Sequence, residues 1–317
     1  MIRFSNGHEL TFACGSGALA FDGRGWWWEW PLRWLSILDP KAFTVVAKTV
    51  TLYPKKGNLS MWHPWTCVRI LKHENGLKGA VNAIGLTNPG LAGWIVHSYH
   101  IAKKKGYKIA ASVKPDGPAE AATMATVLRH LQLAYVEVNV SCPNISEVPT
   151  EVPETLAALQ EAGHPIVLKL SRDQVREEFI AAVDKYVEAY HAINTIPWDD
   201  VFRSQNAFQL RSQNAFQLIW NDKKSPIEKY KHKQKGGVSG DFIHREALRA
   251  CHHLANMSDK PIIGGGGIFD LNSCLDFEHN GAEAFSIGTC FLLYPWRPNK
   301  IVTEYLEHQH RFRMKAT

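Results

Sequence analysis

The 317-residue chain is predicted to fold as an α/β (β/α)8 TIM barrel with a parallel eight-stranded core, on three observations. Eight short runs rich in Val, Ile and Ala alternate with stretches of helical periodicity. Most of those runs lack in–out alternation, as strands covered on both faces do. Glycines, asparagines and lysines gather just beyond the runs, where a barrel builds its site. An open, doubly wound sheet is the competing architecture. One barrel can fill this length, so the expectation is one domain over 1–317, with an irregular insertion around 197–235.

The elements follow in order. Leu10–Cys14 is the first strand, and Gly15-Ser16-Gly17 closes it. Phe43–Thr51 is the second, with Lys48 near its end. Lys108–Lys114 is the third, followed by a helix over Pro118–Leu133. Tyr135–Cys142 is the fourth and runs into Asn139-Val140-Ser141-Cys142-Pro143-Asn144, where proline fixes φ, removes a donor and turns the loop. After a helix over Pro153–Ala162, Ile166–Ser171 is the fifth strand. It holds Lys169 inside an apolar run, where a charge needs a partner. A helix over Arg172–Glu188 leads to the sixth strand, Ala189–Ile196, with Asn194-Thr195 near its end. A helix over His244–Asn256 precedes Pro261–Gly265, the seventh strand, and Gly264-Gly265-Gly266-Gly267. A helix over Asn272–Asn280 precedes Ala284–Thr289, the eighth strand, which ends in Gly288-Thr289. Glycines after strands seven and eight suit a phosphate site of bare backbone N–H groups. Alone, each could be a tight turn.

Composition narrows the function. Hydrophobic residues make up 45% and charged residues 21%, which supports a sizeable core and excludes wholesale disorder. The net charge of +6 is mild and its Lys103-Lys104-Lys105 run short, so a solvated surface is expected and no nucleic-acid partner. No apolar stretch approaches the roughly 18 residues of a membrane helix. Met1–Gly7 carries no apolar signal core, and a cytoplasmic protein is expected. Six cysteines include no Cys-x-x-Cys pair, which argues against a chain-borne iron–sulfur cluster, and no metal site is expected. Arg203–Leu210 is repeated without change as Arg211–Leu218, read as a local duplication in a tolerant surface segment. The tryptophans, eleven in all and dense over Gly25–Pro31, are expected to pack in the core or at the barrel bottom. A cofactor box is the alternative, and a subunit interface, as in a homodimer, the minority reading.

The chemistry-bearing residues converge on one rim. Cys142 stands at a strand end with Lys48 and Lys169 on neighbouring ends, and a thiol in an electropositive pocket ionises more readily and can act as a base. A buried inert thiol is the alternative. Asn82, Asn139, Asn144 and Asn194 each offer two donor hydrogens and an acceptor, suited to a flat heterocycle with alternating C=O and N–H groups. Any one of them alone would pass for a turn residue.

These residues resemble the dihydroorotate dehydrogenases, FMN-dependent (β/α)8 barrels. The resemblance runs from about Cys14 to Phe291 and is most specific over Val136–Asn144, then over Val81–Gly90. Ala47-Lys48-Thr49, Tyr53–Asn58, Gly236–Gly240, Gly264–Gly267 and Ile287-Gly288-Thr289 follow in family order. It implies that Cys142 takes the C5 proton of dihydroorotate while a hydride passes from C6 to N5 of FMN. Relatives that use a membrane quinone usually carry Ser there, so Cys142 implies the soluble class. It also implies that Asn82, Asn139, Asn144 and Asn194 hold the pyrimidine. Lys48 would lie beside substrate carboxylate and flavin, and Lys169 near the flavin N1–O2 edge. Ser16, Thr195 and Asn139 would be further flavin or substrate contacts, with Gly237, Gly266, Gly267, Gly288 and Thr289 as the phosphate and ribityl cradle. The partner is then a small dihydropyrimidine, and electrons could leave to fumarate or to a separate iron–sulfur electron-transfer subunit. The alternatives are a flavin enzyme acting on a dihydrouracil-like pyrimidine, a non-catalytic barrel binding a phosphate ligand, and a flavin-free lyase using Lys169. The Trp26–Trp30 stretch, and Ile196–Asp200 where relatives turn through glycine, depart from the family pattern.

Overall fold

The computed structural model describes residues 1–60, 62–72, 76, 78–140, 151–202, 224–230 and 234–316. The predicted barrel is there. Eight strands close in strict chain order, each parallel to the next: β1 (Phe12–Cys14), β2 (Thr44–Val46), β3 (Lys108–Val113), β4 (Val136–Asn139), β5 (Ile166–Leu170), β6 (Ala189–Ala192), β7 (Ile262–Gly265) and β8 (Ala284–Ile287). Their near-continuous apolar character has the expected cause, since β1, β2, β5, β6, β7 and β8 are buried at every position.

The second strand is shorter than predicted because it breaks at its functional end. The ladder lapses at Lys48-Thr49 and resumes where Val50 bridges Val113. The long helix expected over Arg172–Glu188 is three pieces: 3-10 turns at Arg172–Gln174 and Asp184–Tyr186 flank an α-helix at Glu177–Val183.

Three additions to the barrel position the site. A hairpin of Ile2–Arg3 and Glu9–Leu10 covers the N-terminal end, with Phe4 against Tyr135 and the His8 ring 2.9 Å from the Thr44 hydroxyl. A helix over Pro298–Ala316 lays Tyr305 against Phe12 and Phe285, sealing the β8–β1 seam. At the opposite end, Ile196–Pro197, Gly237–Gly240, Lys78–Asn82 and Val68–Lys72 form an antiparallel sheet over the C-terminal rim. Among the described residues, no helix is long and apolar enough to cross a membrane. The repeated octapeptide, and most of the expected insertion, lie outside the described residues.

Candidate active site

A cavity of about 960 Å³ opens between the C-terminal strand ends and the antiparallel sheet. The strand order brings to it most of the residues singled out in the sequence: Ser16, Lys48, Asn82, Asn139, Lys169, Asn194, Thr195, Gly266, Gly267, Gly288 and Thr289. Cys142 and Asn144 lie outside the described residues.

Gly237 stands apart from the cavity lining. It sits opposite Asn82 in the antiparallel sheet, and a Cβ there would collide with the Thr195 hydroxyl. Its bareness lets Thr195 reach the wall. Gly266 and Gly267 hold positive φ angles of 126° and 86°, and the helix Asp241–Ala255 presses Ala247 and His244 onto them. Both backbone shape and close approach therefore require glycine.

Ser16 spends its hydroxyl on protein partners, the Ala47 carbonyl at 3.0 Å and the Thr49 hydroxyl at 3.0 Å. It braces the first loop against the second. Asn194 Nδ2 reaches Asn139 Oδ1 at 3.5 Å, while Asn194 Oδ1 accepts the Thr195 amide at 2.9 Å. Thr289 donates to or accepts from Ser239 at 2.9 Å, tying the eighth loop to the rim sheet.

The two lysines differ in kind. Lys48 is 7% exposed, and no carboxylate lies within ion-pair distance among the described residues. Its neighbours are the Gly17 backbone, which only a missing side chain admits, and the Phe21 ring, whose centroid is 5.8 Å from Nζ. Burial pulls its pKa down to about 8. A buried cation without a counter-ion is costly and is relieved when an anion arrives.

Lys169 instead faces Glu137, with Nζ 3.9 Å from Oε1. Glu137 is fully buried, accepts from the Ser112 hydroxyl at 2.9 Å, and lies 2.7 Å from His191 Nδ1. Burial alone would raise its carboxyl, but Lys169, His191 and Ser112 together hold it down to about 2. Burial and then Lys169 push His191 below the usual imidazole range against the opposing pull of Glu137, so the neutral ring donates from Nδ1. Ser112 also meets the Thr49 hydroxyl at 2.9 Å. One hydrogen-bonded line thus crosses the cavity floor from Ser16 through Thr49, Ser112 and Glu137 to His191.

Glu137 and His191 were missed as site residues, although the signal was present. Each interrupts an apolar strand, as Lys169 does. The tryptophan expectation holds for Trp94 and Trp198, which are buried in the core, and needs correction for the Trp26–Trp30 stretch, of which none packs in the core or at the barrel bottom. Trp26, Trp27 and Trp28 wall the cavity mouth, with Trp26 and Trp28 stacked at 5.6 Å, while Trp30 is 45% exposed. Beside them Glu29 is fully buried; Oε2 accepts the Trp26 amide at 2.7 Å and Oε1 has no hydrogen-bond partner among the described residues. Burial pushes this carboxyl up to about 8, against the pull of the Trp26 amide and Arg33. The five described cysteines are all buried and unpaired, as expected for packed thiols.

A family model described as dihydroorotate dehydrogenase matches residues 34–308. The catalytic subunit of dihydroorotate dehydrogenase B (NAD(+)) from Thermococcus kodakarensis is 28% identical over 293 residues, covering 89% of this chain and 85% of that protein. The subunit of the same name from Pyrococcus abyssi is 30% identical over 260 residues, covering 78% and 75%.

Proposed function

The chain belongs to the dihydroorotate dehydrogenase family, and from that premise we propose that it oxidises dihydroorotate to orotate on FMN. It is an oxidoreductase of CH–CH donors in a flavin-dependent family. The observation that carries the finer reading is Lys48: a buried cation with no described counter-ion, in the same cavity as Asn82, Asn139 and Asn194. A heterocycle with a carboxylate answers both features, with the amides on its ring and the ammonium on its charge. A dihydrouracil would leave the lysine unanswered.

The floor also fits a flavin. The cavity lies at the upper end of the usual 300–1,000 Å³ range for ligand pockets, enough for a cofactor and a small substrate together. Lys169 offers a cation held by Glu137, and Gly266, Gly267, Gly288 and Thr289 offer an open backbone edge for a phosphate. When bound, the flavin supplies the two-electron acceptor for the hydride leaving C6. The side chains do the rest. Asn82, Asn139, Asn144 and Asn194 orient the ring, Lys48 anchors the carboxylate, and Lys169 places positive charge beside the cofactor. Cys142 takes the C5 proton, Ser16 and Thr195 hold the neighbouring loops, and Gly237 gives Thr195 its room. Electrons then leave to a separate electron-transfer subunit, a reading supported by relatives named as catalytic subunits of NAD(+) enzymes. We place the reaction in the cytoplasm.

Purified protein supplemented with FMN should retain a visible flavin spectrum. Anaerobic dihydroorotate should bleach it, and dihydrouracil should not. No flavin retention, or bleaching by dihydrouracil alone, overturns the reading.

A further inference from the structure

His191 is a cavity-lining group to which no role has been given. Its Nδ1 is committed to Glu137 at 2.7 Å, while no described residue takes Nε2. That nitrogen faces Gly265, where an added Cβ would stand 3.2 Å away, and the ring borders the cavity. In the barrel ladder His191 is in register with Lys169 on one side and Ile263 on the other. The charged groups acting on it are Lys169 from β5 and Glu137 from β4. The β7 and β8 neighbours, Gly265 and Ser286, carry none. Lys48 and Lys114 are the other described lysines on the cavity wall, and Glu29 is its described carboxyl.

On the reading that FMN binds here, we propose that His191 balances charge on the cavity floor, taking one proton from solvent at Nε2 when the cofactor is reduced. While a bound flavin is oxidised and neutral, the charges of Lys169 and Glu137 would cancel and burial would keep the imidazole neutral. A hydride adds two electrons and one proton to the ring system, leaving one new negative charge in a low-dielectric cavity. That charge favours an imidazolium, and Glu137 already orients Nδ1 so that only Nε2 remains to be filled. The sum is one hydride onto the flavin and one solvent proton onto His191. The substrate's C5 proton departs separately to its base.

The flavin-loaded protein is titrated with dithionite over pH 5–9, following midpoint potential and, in weak buffer, proton uptake. Dithionite delivers electrons alone, so the flavin itself takes one proton per two electrons. Wild type should take up two over a window below the range where Lys48 titrates, with a potential falling twice as steeply there as in His191→Gln. Equal slopes in the two proteins overturn the proposal. Should His191→Gln fail to hold flavin, 15N-histidine spectra of wild type decide: Nε2 must gain a proton on reduction, and an unchanged neutral ring overturns it. Failure of wild type to bind FMN is a separate result, which sinks the flavin reading itself.

Discussion

Lys169 and Glu137 project from adjacent barrel strands with Nζ 3.9 Å from Oε1, and the carboxylate is fully buried. Lys169→Met leaves Glu137 a buried charge held by neutral donors alone. Breaking such a pair costs about 3–5 kcal/mol, and adding Glu137→Gln should recover much of that loss. In wild type the folded carboxyl titrates below its unfolded range. Its contribution is therefore present above the ordinary carboxylate range and lost as pH falls toward about 2. In Lys169→Met that ordering reverses, so the variant should be weakest near neutral pH and gain ground on acidification. Urea unfolding of the single and double variants at pH 5 and 7 measures this; strictly additive losses refute the coupling. In the flavin-loaded protein, Lys169→Ala should mainly slow reduction while FMN is retained.

Lys48 behaves in the opposite way. Its folded pKa of about 8 lies below that of a free lysine, so folding disfavours its charge, and stability rises with pH between about 8 and the ordinary lysine value. Lys48→Met should therefore raise Tm at neutral pH while weakening orotate binding. A hydrogen bond to a charged group is worth about 1.5–3 kcal/mol, so the loss should be roughly 10- to 100-fold. Wild-type affinity should fall as pH rises through about 8. A pH-independent affinity would remove Lys48 from the anion site.

Gly237→Ala tests whether a residue outside the cavity sets its wall. The new Cβ collides with the Thr195 hydroxyl and crowds its Cβ at 2.8 Å, so the strand or Thr195 must move. Overpacking of this kind costs about 1–3 kcal/mol. Ligand affinity should drop with it, because the Thr195 amide is bonded to Asn194. Thr195→Ala in the same chain removes the harder clash and should restore part of the stability. A wild-type melting curve for Gly237→Ala rejects the constraint.

Glu29 gives a pH signature with the sign of a buried acid. Its folded pKa of about 8 exceeds the unfolded value, so the folded chain holds a proton that the unfolded chain gives up. Stability should fall as pH rises from the carboxylate range to about 8. Glu29→Gln keeps a group able to accept the Trp26 amide but cannot ionise, so its stability should fall less steeply over that window and exceed wild type at pH 8. Parallel Tm–pH curves contradict this.

The barrel was legible because its strands are buried on both faces, which writes β-branched runs directly into the sequence. The rim sheet was not. Lys78–Asn82 carries one glycine and Gly237–Gly240 two, with fewer apolar side chains than a core strand, and their pairing joins residues over 150 positions apart. The C-terminal helix was equally quiet, since only Pro298, Ile301, Val302 and Tyr305 among its described side chains are buried. Lys169 is legible as a charge inside an apolar run, and Glu137 and His191 carry the same signal in their own strands. The Trp26–Trp30 stretch misled because aromatic density gives apolar area without saying which side of the wall it covers, whereas Trp94 and Trp198 do pack in the core.

Cys142 remains the sharpest test of mechanism. A free thiol titrates near pH 8.5 and is mostly protonated at neutral pH, and only its thiolate can accept the C5 proton. Reduction of the bound flavin by dihydroorotate should therefore quicken with pH until the thiol is ionised in the complex. Cys142→Ser replaces it with a far weaker acid. The rise should move to higher pH and reduction should slow by roughly 10²–10⁴-fold, the usual worth of a positioned base. Orotate affinity should change little, because amides and Lys48 rather than the thiol hold the ligand. Stopped-flow bleaching of wild type and variant across pH separates the two effects, since a binding defect alters the concentration dependence and a lost base alters the limiting rate. A variant with the wild-type profile and limiting rate would return Cys142 to the ranks of the inert thiols.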